Sequence, residues 1–193
     1  LLLHLVLTYA SALRFLAKLN PITFLRRIRA VQLVAFSTSS SNATLPLTIE
    51  TAEEEIGISR EVASFVLPLG ATINMDGTAL YQAVATMFIA QVLVGDLTLT
   101  AQFGIVLTAT LASIGAAGVP SAGIIILIVV LQQALPPGVD PAVGIALILG
   151  VDRILDMCRT AVNVTGDLTA ATVIARSEGE LLALDGETAA KAA

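Results

Sequence analysis

The stretch DRILDMCRTAVNVTGD, residues 152–167, places charged and amide side chains inside one of the most apolar parts of the chain. On an α-helix, with 100° between successive residues, five of them project within about 80° of one another. They are Asp152, Asp156, Arg159, Asn163 and Asp167. Each charge at the centre of a membrane helix costs roughly 2.5–3.5 kcal/mol, so this stripe is expected to face protein or a polar ligand rather than lipid. A structural ion-pair network is the alternative interpretation.

The composition indicates an integral membrane protein. Of the 193 residues, 56% are hydrophobic and 13% are charged, about half the charged fraction of an ordinary soluble domain. The net charge is −5, and no basic cluster indicates nucleic-acid binding. The one histidine, His4, lies far along the sequence from every motif and is interpreted as a core or interface residue. No catalytic, metal-ligand or phosphate-loop pattern is present, so an enzyme is not expected.

The first half of the chain predicts a helical membrane domain. Residues 1–18 read as the end of a transmembrane helix, and the Lys and Arg residues that follow indicate the cytoplasmic side. Because the chain opens inside an apolar run, we interpret it as a fragment of a longer protein. Residues 21–55 carry a Ser/Thr/Asn-rich centre between two short apolar arms, which predicts a re-entrant hairpin rather than a surface loop. Residues 59–94 predict a transmembrane helix broken at Gly70 and at NMDGT, residues 74–78.

The second half repeats this plan in the opposite orientation. Residues 100–136 are interrupted by the Gly/Pro-rich stretch 113–123 and predict a second re-entrant hairpin. Residues 141–176 predict a further transmembrane helix, and residues 177–193 predict a polar cytoplasmic tail. Two hairpins and two broken or unwound transmembrane helices form an inverted repeat, a pattern typical of transporters with a binding site near the membrane midplane.

The residue types of the stripe predict an anionic amino acid as ligand. Arg159 offers a planar fork for a carboxylate, and Asp156 offers an acceptor for an ammonium group. Asn163 and Thr78 offer neutral hydrogen bonds. An acidic amino acid would satisfy both charges.

The remaining acidic residues predict a cation site. Asp76, Asp167 and the carbonyl groups around Asn74 provide oxygen ligands, which suit a small hard cation. A substrate with two carboxylates against one arginine would also gain from accompanying cations, which indicates cation-coupled symport. Asp167 favours sodium, because an ionised carboxylate is a standing ligand; proton coupling is the alternative.

Four strings, in this order, resemble the dicarboxylate/amino acid:cation symporter family, the glutamate and aspartate transporter homologues. They are TSSSNATLP at 38–46, GATINMDGT at 70–78, AGVPSAG at 117–123 and DMCRTAVNVTGD at 156–167. The resemblance implies an elevator-type transport domain that carries L-aspartate or L-glutamate with Na⁺ by alternating access. It further implies a plasma or inner membrane location, a cytoplasmic C-terminus, and a homotrimer formed through a scaffold half that this chain lacks.

The resemblance also implies roles for individual residues. The substrate contacts would come from Ser39, Ser41, Thr78, Val119, Gly123, Asp156, Arg159, Thr160 and Asn163. For sodium, Gly70, Asn74, Asn163 and Asp167 would form one site, and Thr72, Met75, Ser113, Ile114 and Ala116 a second. Asn74 and Asp76 would contribute to a third sodium site, whose remaining ligands would lie outside this chain. No organic cofactor is implied.

The chain departs from the family pattern at three positions. Asn42 stands where a further serine is usual, and Ser39 and Met157 stand where prokaryotic and animal members respectively carry a second arginine. Among the alternatives, a C4-dicarboxylate carrier would leave Asp156 unpaired, and a neutral amino acid carrier would leave Arg159 unpaired. An ion channel and a purely structural membrane protein are the alternatives from other classes.

Overall fold

The computed structural model describes residues 1–182, and helices joined by short turns account for almost all of them. We number these helices α1 Leu2–Leu16, α2 Pro21–Arg27, α3 Arg29–Thr38, α4 Ser41–Thr51, α5 Arg60–Ile73, α6 Asp76–Val94, α7 Leu99–Ser113, α8 Ala122–Ala134 and α9 Pro141–Glu178. A π-helical turn, Ala52–Ile56, continues α4. The extended structure in the described part is an isolated bridge between Ile58 and Leu181. The all-helical prediction is confirmed for these residues, and the predicted tail beyond residue 182 lies outside them.

Two breaks in the helical path follow from local chemistry. The chain bends by 106° between α1 and α2, where the Asn20 side chain accepts a hydrogen bond from the backbone of Ile22 at 2.9 Å and Pro21 takes the first helical position. The predicted break in the next long helix lies at Asn74 and Met75, between α5 and α6. Gly70 lies inside α5, so the prediction of a break at this glycine was wrong.

Two helix–turn–helix units correspond to the predicted hairpins. In the first, α3 and α4 are joined at Ser39 and Ser40, and Ser39 adopts the left-handed conformation with φ 51°. In the second, α7 and α8 are joined by residues 114–121, with positive φ at Gly115 and Ser121. We call residues 39–40 the first tip and residues 114–121 the second tip.

The prediction that the last transmembrane helix is also broken or unwound was wrong. The helix α9 runs without interruption for 38 residues, through Asn163 and Gly166. These residues are weak helix formers, but nearly every side chain from Arg159 to Thr169 is buried against other elements. Tertiary packing therefore offsets the low helix propensity.

Two apolar cores lie at opposite ends of α9. In one core, the helices α1 through α5 pack against the C-terminal part of α9, around Ile28, Leu67 and Leu168. The other joins α6 and α8 with the N-terminal part of α9, around Ile89 and Leu127. The polar stripe of α9 lies between these cores, and all five of its predicted members are buried. Its predicted exclusion from the outer surface is confirmed.

Large apolar side chains cover much of the exterior. Phe15, Phe65, Phe103 and Leu149 are all exposed. Within residues 1–182, the segment Arg60–Val94, formed by α5 and α6, is long and apolar enough to cross a membrane. The bent α1–α2 pair would be a second such span. These features agree with the predicted membrane location.

Candidate binding site between the hairpin tips

The nine predicted substrate-binding residues all line one cavity between the two tips, α6 and α9. Its volume is about 20 Å³, room for about one water molecule. The other lining residues are Met75, Ala116, Ala117, Gly118 and Ala122. Residues spread over 125 positions of the sequence, from 39 to 163, thus meet at one place.

At the centre of the cavity, Arg159 and Asp156 pair with each other. Arg159 Nε donates to Asp156 Oδ1 at 3.0 Å, and Nη2 lies 2.9 Å from the same oxygen. Arg159 is 2% exposed and Asp156 4% exposed, so water does not screen this pair. Neither terminal nitrogen of Arg159 makes a hydrogen bond of good geometry, which leaves donor capacity directed into the site.

Tyr81 and Asp152 hold the guanidinium of Arg159 from the other side. The guanidinium carbon lies 4.4 Å from the centre of the Tyr81 ring, and Tyr81 donates to Asp152 Oδ1 at 2.6 Å. Arg159 Nη1 is 3.7 Å from that same carboxylate oxygen. Asp152 belonged to the predicted stripe, but the contribution of Tyr81 was missed. The available signal was its position three residues after Thr78, on the same face of α6.

Asp156 also holds the second tip. Its Oδ2 accepts a hydrogen bond from the backbone N–H of Ser121 at 3.0 Å. Arg153 Nη1 lies 3.9 Å from the same oxygen, and this arginine is exposed. The carboxylate predicted to bind a substrate ammonium group is therefore already shared by the chain's own donors.

The two tips meet directly above this pair. Ser40 Oγ donates to the carbonyl oxygen of Gly118 at 2.6 Å, and the backbone N–H of Asn42 donates to the same oxygen at 3.2 Å. A Cβ on Gly118 would lie 2.8 Å from Asn42 Oδ1 and 3.2 Å from its backbone nitrogen, so a larger residue would have to displace Asn42. Gln82 adds a bond from Nε2 to the carbonyl of Gly123 at 2.7 Å, which joins α6 to the second hairpin.

Asn163 connects α9 to the start of α6. Its Nδ2 donates to Thr78 Oγ1 at 3.0 Å, and its Oδ1 accepts from the backbone of Gly77 at 2.8 Å. The sulfur of Met75 lies 3.2 Å from Asn163 Nδ2. Thr160 donates to the carbonyl of Asp156 at 2.8 Å, within α9.

Of the four residues predicted for the first sodium site, Gly70 and Asn74 both lie against Asp167. Asn74 Nδ2 donates to Asp167 Oδ1 at 2.9 Å, and a Cβ on Gly70 would lie 2.6 Å from that oxygen. Asn163 lies one helical turn before Asp167 on the same face of α9. Asp167 is 3% exposed, and among residues 1–182 it forms no ion pair with a basic side chain.

The residues predicted for the second sodium site lie where the end of α5 meets the start of the second tip. The backbone N–H of Gly115 donates to the carbonyl of Thr72 at 3.0 Å, which joins the two segments. Ser113 and Ala116 are buried, whereas Thr72 and Ile114 are exposed. Met75 lies at the break and contacts Asn163 instead.

Asp76, predicted for the third sodium site, contacts α1. His4 Nε2 lies 2.6 Å from Asp76 Oδ2, and the hydroxyl of Tyr9 donates to the same oxygen. The interpretation of His4 as remote from every motif was therefore wrong, because folding brings it onto NMDGT. No sequence spacing could reveal this contact, since the partners are 72 positions apart.

A profile described as "Sodium:dicarboxylate symporter family" matches residues 1–177. Three curated relatives are similar over most of the chain. Human excitatory amino acid transporter 5 is 51% identical over 161 residues, 83% of this chain and 28% of that protein. An excitatory amino acid transporter of Caenorhabditis elegans is 48% identical over 157 residues (81% and 30%), and excitatory amino acid transporter 1 of Rattus norvegicus is 44% identical over 174 residues (90% and 31%).

The chain therefore spans about 30% of the length of these curated relatives. The relatives and the family are named as transporters and symporters, not as enzymes. The resemblance drawn from the four strings is confirmed.

Proposed function

Because this chain belongs to the sodium:dicarboxylate symporter family, we propose that it forms the substrate-binding part of a sodium-coupled transporter of acidic amino acids. L-Aspartate and L-glutamate are the substrates that fit its charges best. The names of the relatives, excitatory amino acid transporters, support this substrate class.

The buried pair of Arg159 and Asp156 is the observation that carries the proposal. In a buried site, each charge needs a partner, and each now has the other. An acidic amino acid supplies a carboxylate for Arg159 and an ammonium group for Asp156, so it can replace both halves of the pair. A dicarboxylate without an amine would bring no ammonium group for Asp156. A neutral amino acid has a main-chain carboxylate but would bring no side-chain carboxylate for Arg159.

The small cavity and the contact between the two tips favour a carrier over a channel. A space of about 20 Å³ cannot hold an amino acid, so substrate entry requires the tips to separate at Gly118. A site whose two tips are joined by hydrogen bonds must open and close for each substrate. Alternating access requires this behaviour, whereas a conducting pore stays open.

The environment of Asp167 supports sodium as the coupling ion. A buried carboxylate with one side-chain donor, Asn74, and no basic partner within residues 1–182 needs a cation or a proton. Gly70 lets the backbone of α5 lie close against Asp167, since a Cβ there would be 2.6 Å from Oδ1. Asp167, Asn74, Asn163 and the carbonyl of Gly70 would hold Na⁺, whose charge would neutralise the carboxylate. Proton coupling through Asp167 is the second candidate.

The proposal extends to the architecture of the complete protein. The two helix–turn–helix units would be re-entrant hairpins of an elevator-type transport domain with an inverted repeat. The domain would lie in the plasma or inner membrane with its C-terminus in the cytoplasm. A homotrimer would form through a scaffold half outside this chain. Two hairpins that meet at their tips, and an apolar exterior, support this arrangement.

The test is uptake of labelled L-aspartate and L-glutamate by the full-length protein in liposomes, under an inward sodium gradient or an inward proton gradient. We expect sodium-dependent accumulation that Arg159→Ala and Asp167→Asn abolish. Arg14→Ala and Asp96→Asn change exposed residues away from the cavity and serve as matched controls.

Uptake driven by the proton gradient alone would contradict the sodium assignment and leave the substrate assignment intact. Uptake of succinate but of neither amino acid would contradict the role of Asp156. Flux that never saturates with substrate would favour the channel.

A further inference from the structure

We propose that His4 and Tyr9 are positioning residues for the Asp76 carboxylate, and that α1 thereby sets the sodium affinity of the region around Asp76. This inference deepens the proposed function and rests on its sodium coupling. It assigns a role to a helix whose sequence carries none of the four family strings.

A chain of hydrogen bonds fixes the His4 ring. The Asp76 carboxylate can only accept, so the His4 Nε2 atom, 2.6 Å from Oδ2, carries the donated hydrogen. The Thr8 hydroxyl, one helical turn later in α1, lies 3.1 Å from His4 Nδ1 and donates to it in the neutral ring. The Thr8 hydroxyl thus completes the hydrogen bonding of the His4 tautomer that donates to Asp76.

Three donors fix the orientation of the Asp76 carboxylate. His4 and Tyr9 both donate to Oδ2, and the backbone N–H of Gly77 donates to Oδ1 at 2.9 Å. Oδ1 therefore has one protein donor and keeps acceptor capacity, whereas Oδ2 is fully used. A carboxylate held in this way presents one chosen oxygen, as do carboxylates oriented by outer-shell hydrogen bonds in metal sites.

Tyr9 also lies close to the residues that surround Asp167. A Cβ on Gly166 would lie 2.5 Å from the Tyr9 hydroxyl and 2.9 Å from Asn74 Nδ2. Tyr9 and Asn74 therefore both pack against this glycine and lie next to each other. Asn74 in turn binds Asp167. Tyr9 thus lies at the junction of the two acidic residues proposed to hold sodium.

Thermal unfolding of the purified full-length protein without substrate tests the proposal. The melting temperature is measured against NaCl at one pH, with choline chloride keeping the ionic strength constant. Sodium bound to the folded state raises the melting temperature without a plateau, so fitting this rise against sodium concentration gives the concentration at which the site is half-occupied, which reports affinity. We expect His4→Ala and Tyr9→Phe each to raise this concentration about 10-fold, because each removes a hydrogen bond to a charged group.

A conservative variant and a double variant separate positioning from packing. The amide of Gln can donate to Asp76 and accept from Thr8, so His4→Gln is expected to stay within about 2-fold of wild type. In an Asp76→Asn background, Tyr9→Phe is expected to add no further shift, because its partner's charge is gone. Ser11→Ala, at an exposed position of α1, is the matched control.

Lower melting temperatures with an unchanged half-occupancy concentration of sodium in both Tyr9→Phe and His4→Ala would reduce the contact to a structural tie and overturn the inference, leaving sodium coupling intact. Tyr9→Phe keeps the ring and only loses a hydroxyl, so it remains informative if His4→Ala does not fold. Absence of sodium stabilisation in the wild-type protein would overturn both this inference and the proposed coupling.

Discussion

The two hairpin tips bound the same cavity but are held in different ways. The first tip has two residues, and the bonds that shape its backbone lie largely within its own hairpin. Ser40 Oγ accepts from the backbone of Ala43 at 3.1 Å and caps α4, and the backbone N–H of Ser39 donates to Ala35 at 2.9 Å. The first tip therefore has a local reason for its shape.

The second tip has eight residues and depends on other elements. Its α8 helix begins at Ala122 without a side-chain cap. Its backbone is held by Thr72 of α5, by Asp156 of α9 and by the first tip, and Gln82 of α6 binds the carbonyl of Gly123 at the start of α8. Since Asp156 would also bind the substrate ammonium, we expect substrate exchange to begin with movement of the second tip rather than the first.

The largest expected effect comes from adding a methyl group where the second hairpin packs against Arg159. A Cβ on Gly123 would overlap the guanidinium group, so Gly123→Ala must displace either Arg159 or the hairpin. We expect the affinity for L-aspartate, measured by calorimetry, to fall about 10- to 100-fold. Gly104→Ala, in the other helix of this hairpin, has no atom within 4 Å of the added Cβ and should leave affinity unchanged. Unchanged affinity in Gly123→Ala would show that the second hairpin does not constrain Arg159.

An intermediate effect is expected from releasing the second tip alone. Gln82→Leu keeps a similar side-chain volume and removes the hydrogen bond from α6 to the Gly123 carbonyl, which is then bonded only within α8. The measurement is the rate at which a maleimide labels a single cysteine, placed either on the second tip (Val119→Cys) or beside the first tip (Ala43→Cys). Both variants are made in a Cys158→Ser background. Gln82→Leu should speed labelling at position 119 about 10-fold and leave position 43 unaffected. Equal acceleration at both positions would mean that the tips are released together, and the contrast between them would be lost.

The smallest effect is expected at the first tip. Ser40→Ala removes the cap of α4 and the bond to Gly118, and should lower the free energy of unfolding by about 1–2 kcal/mol. Thermal melting measures this change, and Ser40→Thr should largely restore stability. Ser37→Ala, which loses a hydrogen bond on the exposed side of α3, is the control. If Ser40→Ala melts like that control, the first tip is not maintained by its own cap.

Local chemistry explains what the sequence predicted. The helices are interrupted where the pattern indicated, by turn residues at 39–40 and 114–121 and at NMDGT, whose Asn74, Asp76 and Gly77 are weak helix formers. The 3.6-residue period placed Asp156 and Arg159 on one face of α9, and both line the cavity. The resemblance to the family predicted that residues of both tips line the same site, and they do line one cavity.

Long-range packing explains what the sequence did not predict. His4 and Tyr9 reach Asp76 from a helix with no motif, and Gln82 reaches the second hairpin through an ordinary-looking position of α6. The uninterrupted course of α9 through Gly166 depends on burial by its neighbours, which no local propensity records.

Equilibrium binding of L-aspartate to the purified full-length protein, in NaCl and in choline chloride of the same ionic strength, tests the central claim most directly. Linkage between sodium and substrate predicts an affinity about 100-fold higher in sodium, a difference that Asp167→Asn should largely remove and Asp96→Asn should preserve. Equal affinities in the two salts would contradict a sodium-coupled site.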